Sequence, residues 1–155
     1  MANIIAQTEH RFSDLSAEAV YAAWLDPAAV RVWMQRNLER TGSSARITEI
    51  AIDSRVGGRY RFSDIDDEGQ ESPAWGYYRE LVPGRRIVFT WFVEPAEETE
   101  DNSTVTLELR PDGAGCVATM THEMDAQWAD YIEPTAKAWK GMLESIEETQ
   151  GKERK

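Results

Sequence analysis

Two ionisable side chains stand where strand periodicity points them away from water. His122 sits in the series Cys116, Ala118, Met120, His122, Met124, and Glu80 follows Gly76 and Tyr78 at the same two-residue spacing. Residues two apart on a strand share a face. An unpaired ionisable group on an inward face is costly. Burial raises a glutamate pKa and lowers a histidine pKa, while mutual proximity opposes both shifts. A coupled Glu–His or Tyr–His pair could move a proton on a cyclising or dehydrating substrate. His122, Glu80 and Tyr78 are therefore the catalytic candidates. The plainer alternative, which we favour, is a buried hydrogen bond stapling the last strand to the sheet.

Around these residues gather Trp33, Tyr60, Phe62, Tyr78, Phe89, Trp91, Met120, Trp139 and Met142. Each alone is ordinary core. Collectively, flat aromatics and flexible methionines suit a cavity for a planar or apolar ligand. With His122 they form the candidate ligand-binding set, and the expected partner is an apolar, lipid-like or aromatic small molecule.

Other chemistries find little support. The lone cysteine, Cys116, excludes an internal disulfide and reads as a small buried hydrophobe. Two distant histidines and one cysteine do not make a zinc site. Val56-Gly57-Gly58 precedes a strand, so it is a turn and not a phosphate cradle. No cofactor or metal is expected. A net charge of −11 opposes binding to nucleic acid and to anionic membrane surfaces. The N-terminus lacks a basic segment followed by an apolar core, and no apolar run reaches membrane-spanning length. The expected location is cytoplasmic.

The elements that must position these residues follow from pattern. Two β-rich runs, Trp75–Val82 and Arg85–Val93, meet at Pro83-Gly84 and read as an antiparallel hairpin. A two- or four-residue loop places Gly76, Tyr78 and Glu80 beside Ile87, Phe89 and Trp91; a three-residue loop swaps the faces. On the first arrangement Gly76 leaves space beside Trp91. The opposite face carries Trp75, Tyr77, Val88 and Phe92, a patch for self-association as a homodimer, for a partner, or for partial cover by loops.

Ile4–Phe12 is a first strand. Ser16 caps a short helix through Leu25, and Asp26-Pro27 starts a second carrying Val30, Trp33 and Met34. Strands are expected at Arg46–Ile52, Gly57–Asp64, Ser103–Arg110 and Cys116–Met124, besides the hairpin. The acidic stretches Ile65–Glu71 and Glu94–Asp101 read as solvated loops. Asp130 and Glu133 stand at capping spacing before a long helix striped by Ile132, Thr135, Trp139, Met142, Leu143 and Ile146. The charged tail after Gln150 should fray. Residues 1–155 thus read as a single α+β domain in which a curved antiparallel sheet of about seven strands wraps one long helix.

This order resembles the START-like (SRPBCC) superfamily of helix-grip proteins, in the branch similar to the C-terminal domain of the Hsp90 ATPase activator Aha1. The resemblance is carried by Ala17–Trp33, by Asp53-Ser-Arg-Val-Gly-Gly-Arg-Tyr-Arg-Phe62, by Gly76–Trp91, and by Thr121-His-Glu123 with Trp139-Lys-Gly-Met-Leu143. Where the family often has Gly-Trp, this chain has Ala138-Trp139, a bulkier position that narrows the cavity. The resemblance implies a hydrophobic cavity between sheet and C-terminal helix. It covers ligand binders, cyclases or dehydratases and the cochaperone, so a cyclase/dehydratase-like enzyme and an Hsp90-associated module are the alternatives. The activator's separate Hsp90-binding domain has no counterpart in a chain of this length.

Overall fold

A computed structural model describes residues 3–151. The expected frayed tail falls almost wholly outside that range. The element order is β1 (Ile4–Phe12), α1 (Ala17–Leu25), α2 (Pro27–Arg40), β2 (Arg46–Ile52), β3 (Arg59–Ile65), β4 (Glu71–Val82), β5 (Arg86–Thr90), α3 (Pro95–Glu100), β6 (Thr104–Asp112), β7 (Gly115–Met124), a 3-10 turn (Ala126–Tyr131) and α4 (Ile132–Gln150). The strands form one antiparallel sheet in the order β1-β7-β6-β5-β4-β3-β2. The fold is the curved-sheet helix grip.

Local chemistry accounts for most boundaries. The Ser16 hydroxyl accepts from Ala19 N at 3.1 Å and starts α1. Asp26 ends α1, where its N–H bonds Ala22 O, and opens α2 by accepting from Ala28 N at 3.1 Å. Pro27 fits behind it because a first-turn residue needs no amide hydrogen. Along β7 the inward series Cys116, Ala118, Met120, His122 and Met124 is buried throughout. From the other side α4 brings Trp139, Leu143 and Ile146 into the same core. Ion pairs Arg36–Glu148 and Arg40–Glu144, both 2.7 Å, tie α2 to α4 across the surface.

The hairpin departs from expectation in one respect. Its turn is the three-residue Pro83–Arg85, so Val82 pairs with Arg86 and Glu80 with Val88 on the outer face. A bulge at Arg79 then inserts one residue and restores the other phase, pairing Tyr78 with Phe89. Tyr78, Ile87 and Phe89 face the core, whereas Glu80 does not. Its carboxylate is half-exposed, 3.4 Å from Arg86.

Gly76 is also corrected. A Cβ there would lie 2.2 Å from Thr90 O and 2.6 Å from Thr90 Oγ1. The glycine admits the Thr90 backbone and leaves no space beside Trp91. Thr90 is fully buried and accepts from Tyr60 Oη and, at 2.9 Å through its hydroxyl, from Tyr77 N.

Two further expectations fail locally. Glu94–Asp101 is not a loop. Glu94 and Glu97 form a capping box, Pro95 occupies the first turn, and α3 results. That helix lies on the outer aromatic face. Trp75 Nε1 donates to Glu98 at 2.8 Å, Tyr77 Oη donates to Asp101 at 3.1 Å, and Phe92 is wholly buried. Asp130 is not the helix cap either. Asp125 caps the 3-10 turn by accepting from Gln127 N at 2.9 Å, and α4 continues from it.

Candidate functional site

His122 projects from the C-terminal half of the core-facing row of β7 toward α4 and the segment preceding β6. Trp139 Nε1 donates to His122 Nδ1 at 3.1 Å, so that nitrogen carries no proton. The proton is therefore on Nε2, which donates to Ser103 Oγ at 2.8 Å. The ring is 5% exposed, and burial pushes its pKa down to about 4. At neutral pH it is an uncharged hydrogen-bonding bridge with both nitrogens committed. It joins β7, the start of β6 and α4, which is the staple that the plainer sequence reading describes.

The candidate trio does not meet. Glu80 lies on the opposite face of the sheet. Tyr78 is buried, and burial raises its pKa well above the ordinary phenol value, keeping it protonated. A general base, a general acid and a place for substrate are not assembled from these three residues.

The aromatic set does converge, but it packs against itself. Trp139 meets Trp91 edge-on at 5.0 Å between ring centroids and Phe89 at 6.2 Å. Tyr60 lies 4.8 Å from Phe62, 5.5 Å from Tyr78 and 5.8 Å from Phe89. Trp33 and Met120 are fully buried, and the Trp33 N–H donates to Ala23 O at 2.8 Å. A small space of about 10 Å³ lies between α1 and the sheet, bounded by Trp24, Leu25, Tyr60, Phe62, Tyr78, Ile87 and Phe89. Among the described residues, these rings pack against one another in the region where the family resemblance implies a cavity.

Space of ligand size lies instead at the mouth of the grip. A cleft of about 240 Å³ is lined by Trp91, Ser103, His122, Met124, Trp128 and Tyr131, with Glu94 and Glu97 among its polar residues. A second cleft, of about 230 Å³, is lined by Met34, Leu38, Phe62, Ala74, Trp91 and Met142, with Asp64 among its polar residues. Burial and the neighbouring Asp66 raise the Asp64 pKa. Trp91 belongs to both walls, half-buried between the clefts. A larger hollow of about 530 Å³ lies on the outer sheet face, where Glu80 and Glu108 flank Arg86. Its ion-paired lining suits water better than an apolar ligand.

Several site residues escape sequence reasoning. Ser103 sits just before β6, and its hydroxyl matters only because β6 pairs with β7 beside His122. Trp128 and Tyr131, 5.6 Å apart, belong to the 3-10 turn. Their signal was the aromatic pair ahead of the helical stripe. Trp24 on α1 packs 4.7 Å from Trp33, a placement that α1 periodicity alone could suggest.

Comparison with solved structures agrees with this fold. Protein CV1439 from Chromobacterium violaceum is 25% identical, with 92% of this chain and 94% of that one covered and a TM-score of 0.70. Protein Mll3558 from Rhizobium loti is 26% identical over 94% and 95% of the two chains, with a TM-score of 0.68. The Aha1 dimer from Colwellia psychrerythraea, at 13% identity, 94% and 95% coverage and a TM-score of 0.70, shares the fold. No curated protein matches. Residues 14–151 match the family model described as activator of Hsp90 ATPase homolog 1-like protein. The chain belongs to that family.

Proposed function

We propose that this protein binds a neutral, apolar or aromatic small molecule in the clefts that meet at Trp91, between the sheet and α4. The observation that carries the reading is the pair of clefts, about 240 and 230 Å³, sharing one aromatic wall. An apolar space of about 150 Å³ is enough to hold benzene, so either cleft is of a size for a ring compound. Met34, Met124 and Met142 supply adaptable apolar contact, and Trp91, Trp128 and Tyr131 supply flat faces. Glu94, Glu97 and Asp64 at the two clefts disfavour an anionic ligand.

Proton-transfer catalysis has less support, because His122 has no free nitrogen and Glu80 faces away. Pairing of two copies through the outer hairpin face would have to involve α3, which covers Phe92 there.

Fluorescence titration with the neutral probe N-phenyl-1-naphthylamine tests the reading. Saturable binding in the micromolar range is expected, on the order of −8 kcal/mol. Thr135→Trp, which fills the 240 Å³ cleft from the surface of α4, should weaken binding at least about tenfold. Failure of the wild-type protein to bind the probe up to its solubility limit would exclude the reading.

A further inference from the structure

The two clefts at Trp91 differ in what their carboxylates are doing. At the 240 Å³ cleft, Glu97 Oε1 accepts from Val93 N at 2.8 Å and from Glu94 N at 3.0 Å, and Glu94 belongs to the same capping box. At the 230 Å³ cleft the carboxylate is that of Asp64. Among the described residues it has no hydrogen-bond or ion-pair partner, and what acts on it is burial and the like charge of Asp66. Its acidic neighbours in the chain are engaged. Asp66 accepts from Glu68 N and Gln70 N, both at 2.9 Å. Asp67 accepts from Ser44 Oγ and Glu71 from Ser63 Oγ, both at 2.7 Å.

Strand phase puts Asp64 on the inner face of the sheet. Tyr60, Phe62 and Asp64 stand two apart on β3, and both rings are buried in the core. Arg61 and Ser63 point the other way, where both bond Glu71. Across the ladders Asp64 is opposite Ile47 of β2 and Ser72 of β4, and opposite residues share a face. All three bound the cleft, while Met34 of α2 and Met142 of α4 form its helix side. Asp64 is half-buried and the Ser72 beside it is exposed, so solvent and solutes reach both. The cleft lining contains no basic side chain. Arg31 of α2 donates to Ile47 O at 3.3 Å and makes no ion pair with Asp64.

We propose that the 230 Å³ cleft takes a ligand carrying one protonated primary amine, with Asp64 as its counter-ion and the attached ring against Trp91 and Phe62. An ammonium group offers donors and no acceptor, and it meets two acceptors here, the Asp64 carboxylate and the Ser72 hydroxyl. It supplies the positive charge that the half-buried carboxylate lacks. The faces of Trp91 and Phe62 add attraction for a cation. The inference rests on the binding reading above and extends it from neutral molecules to a cationic class. The other cleft has no equivalent, because Glu97 is spent on the backbone that starts α3.

Two probes of nearly the same shape test this: 1-naphthylmethylamine, protonated at neutral pH, and 1-naphthylmethanol, which is neutral. Each is titrated into the full chain at pH 7.5 and low ionic strength. The amine should bind about tenfold tighter, as a charge-assisted hydrogen bond allows, and added salt should narrow the difference. Asp64→Asn keeps the shape and removes the charge, so the preference should vanish while the affinity for the alcohol stays the same. A chain of net charge −11 attracts any cation, and Glu68→Gln is the control for that general field. It removes the same unit charge from an exposed turn and should keep the preference. Equal affinities in the wild type, a preference that survives Asp64→Asn, or one lost equally in Glu68→Gln would overturn the amine inference alone. Binding of neither probe would overturn the binding reading and the amine inference with it. The Asp64 carboxylate 13C resonance of the wild-type protein gives a readout that needs no variant. It should move on saturation with the amine and hold still with the alcohol, and a resonance unmoved by bound amine would overturn the inference even if Asp64→Asn misfolds.

Discussion

Acid should destabilise this protein through His122 in particular, and replacing that residue exposes the effect. The ring is 5% exposed, and burial lowers its pKa from the ordinary 6.5 to about 4. The unfolded chain therefore takes up a proton near pH 6.5 that the folded chain refuses until about pH 4. Stability from the neutral, buried ring is complete above pH 6.5 and falls as the pH drops toward 4. A displacement of about 2.5 pH units at 1.36 kcal/mol each gives a loss approaching roughly 3 kcal/mol, of which about 2.5 kcal/mol is gone by pH 4.5. His122→Gln can still accept from Trp139 and donate to Ser103 but has no titration. Urea unfolding at pH 7.5, 5.5 and 4.5 compares the two proteins. At pH 7.5 the variant should be less stable by about 1–2 kcal/mol, from imperfect hydrogen bonds and packing. By pH 4.5 that gap should close or reverse, because only the wild type bears the histidine penalty. A gap unchanged from pH 7.5 to 4.5 would refute the argument, as would an NMR titration midpoint for His122 near 6.5.

Other consequences concern packing. Gly76→Ala should cost about 2–4 kcal/mol in thermal or urea unfolding, since its methyl would meet Thr90 O at 2.2 Å and disturb the bonds from Tyr60 and Tyr77. Gly69→Ala is the control: nothing lies within 4 Å of its methyl, and the φ of +81° alone should cost about 1 kcal/mol. Leu143→Ala, at a fully buried position on α4, should cost about 2–5 kcal/mol by the same measurement. Glu98→Ala removes the acceptor of Trp75 Nε1 and the partner of Arg59, so amide exchange in α3 should accelerate while the melting temperature hardly moves.

How legible the fold was depended on how local the determining physics is. β1 and β7 were read closely because alternation on a half-buried strand repeats every two residues, and the Ser16 and Asp26 caps because they act within three residues. The long helix was visible in its stripe, although its entry through Asp125 and the 3-10 turn was not. The phase of β4 was misread near the turn because a three-residue loop and a bulge at Arg79 offset each other, and neither leaves a signature in composition. α3 was legible after all: Glu94-Pro95-Ala96-Glu97 is a capping box, masked by the run of acidic residues. Of the candidate site residues, His122 and the aromatics were placed by strand and helix phase. Whether they enclose a void could not be read, since packing depends on rotamers of residues far apart in sequence, such as Trp24, Phe62 and Phe89. The same holds for Ser103 and Thr90, small residues given their roles by neighbouring strands.

The central claim is that the clefts beside Trp91 take a neutral aromatic molecule. The most direct test follows the six tryptophan indole N–H resonances of the 15N-labelled protein during titration with 1-naphthol. The account predicts saturable shifts at Trp91 and Trp128, which line the clefts, and no change at Trp75, held by Glu98 on the outer face. Absence of any saturable shift, or shifts confined to Trp75, would contradict it.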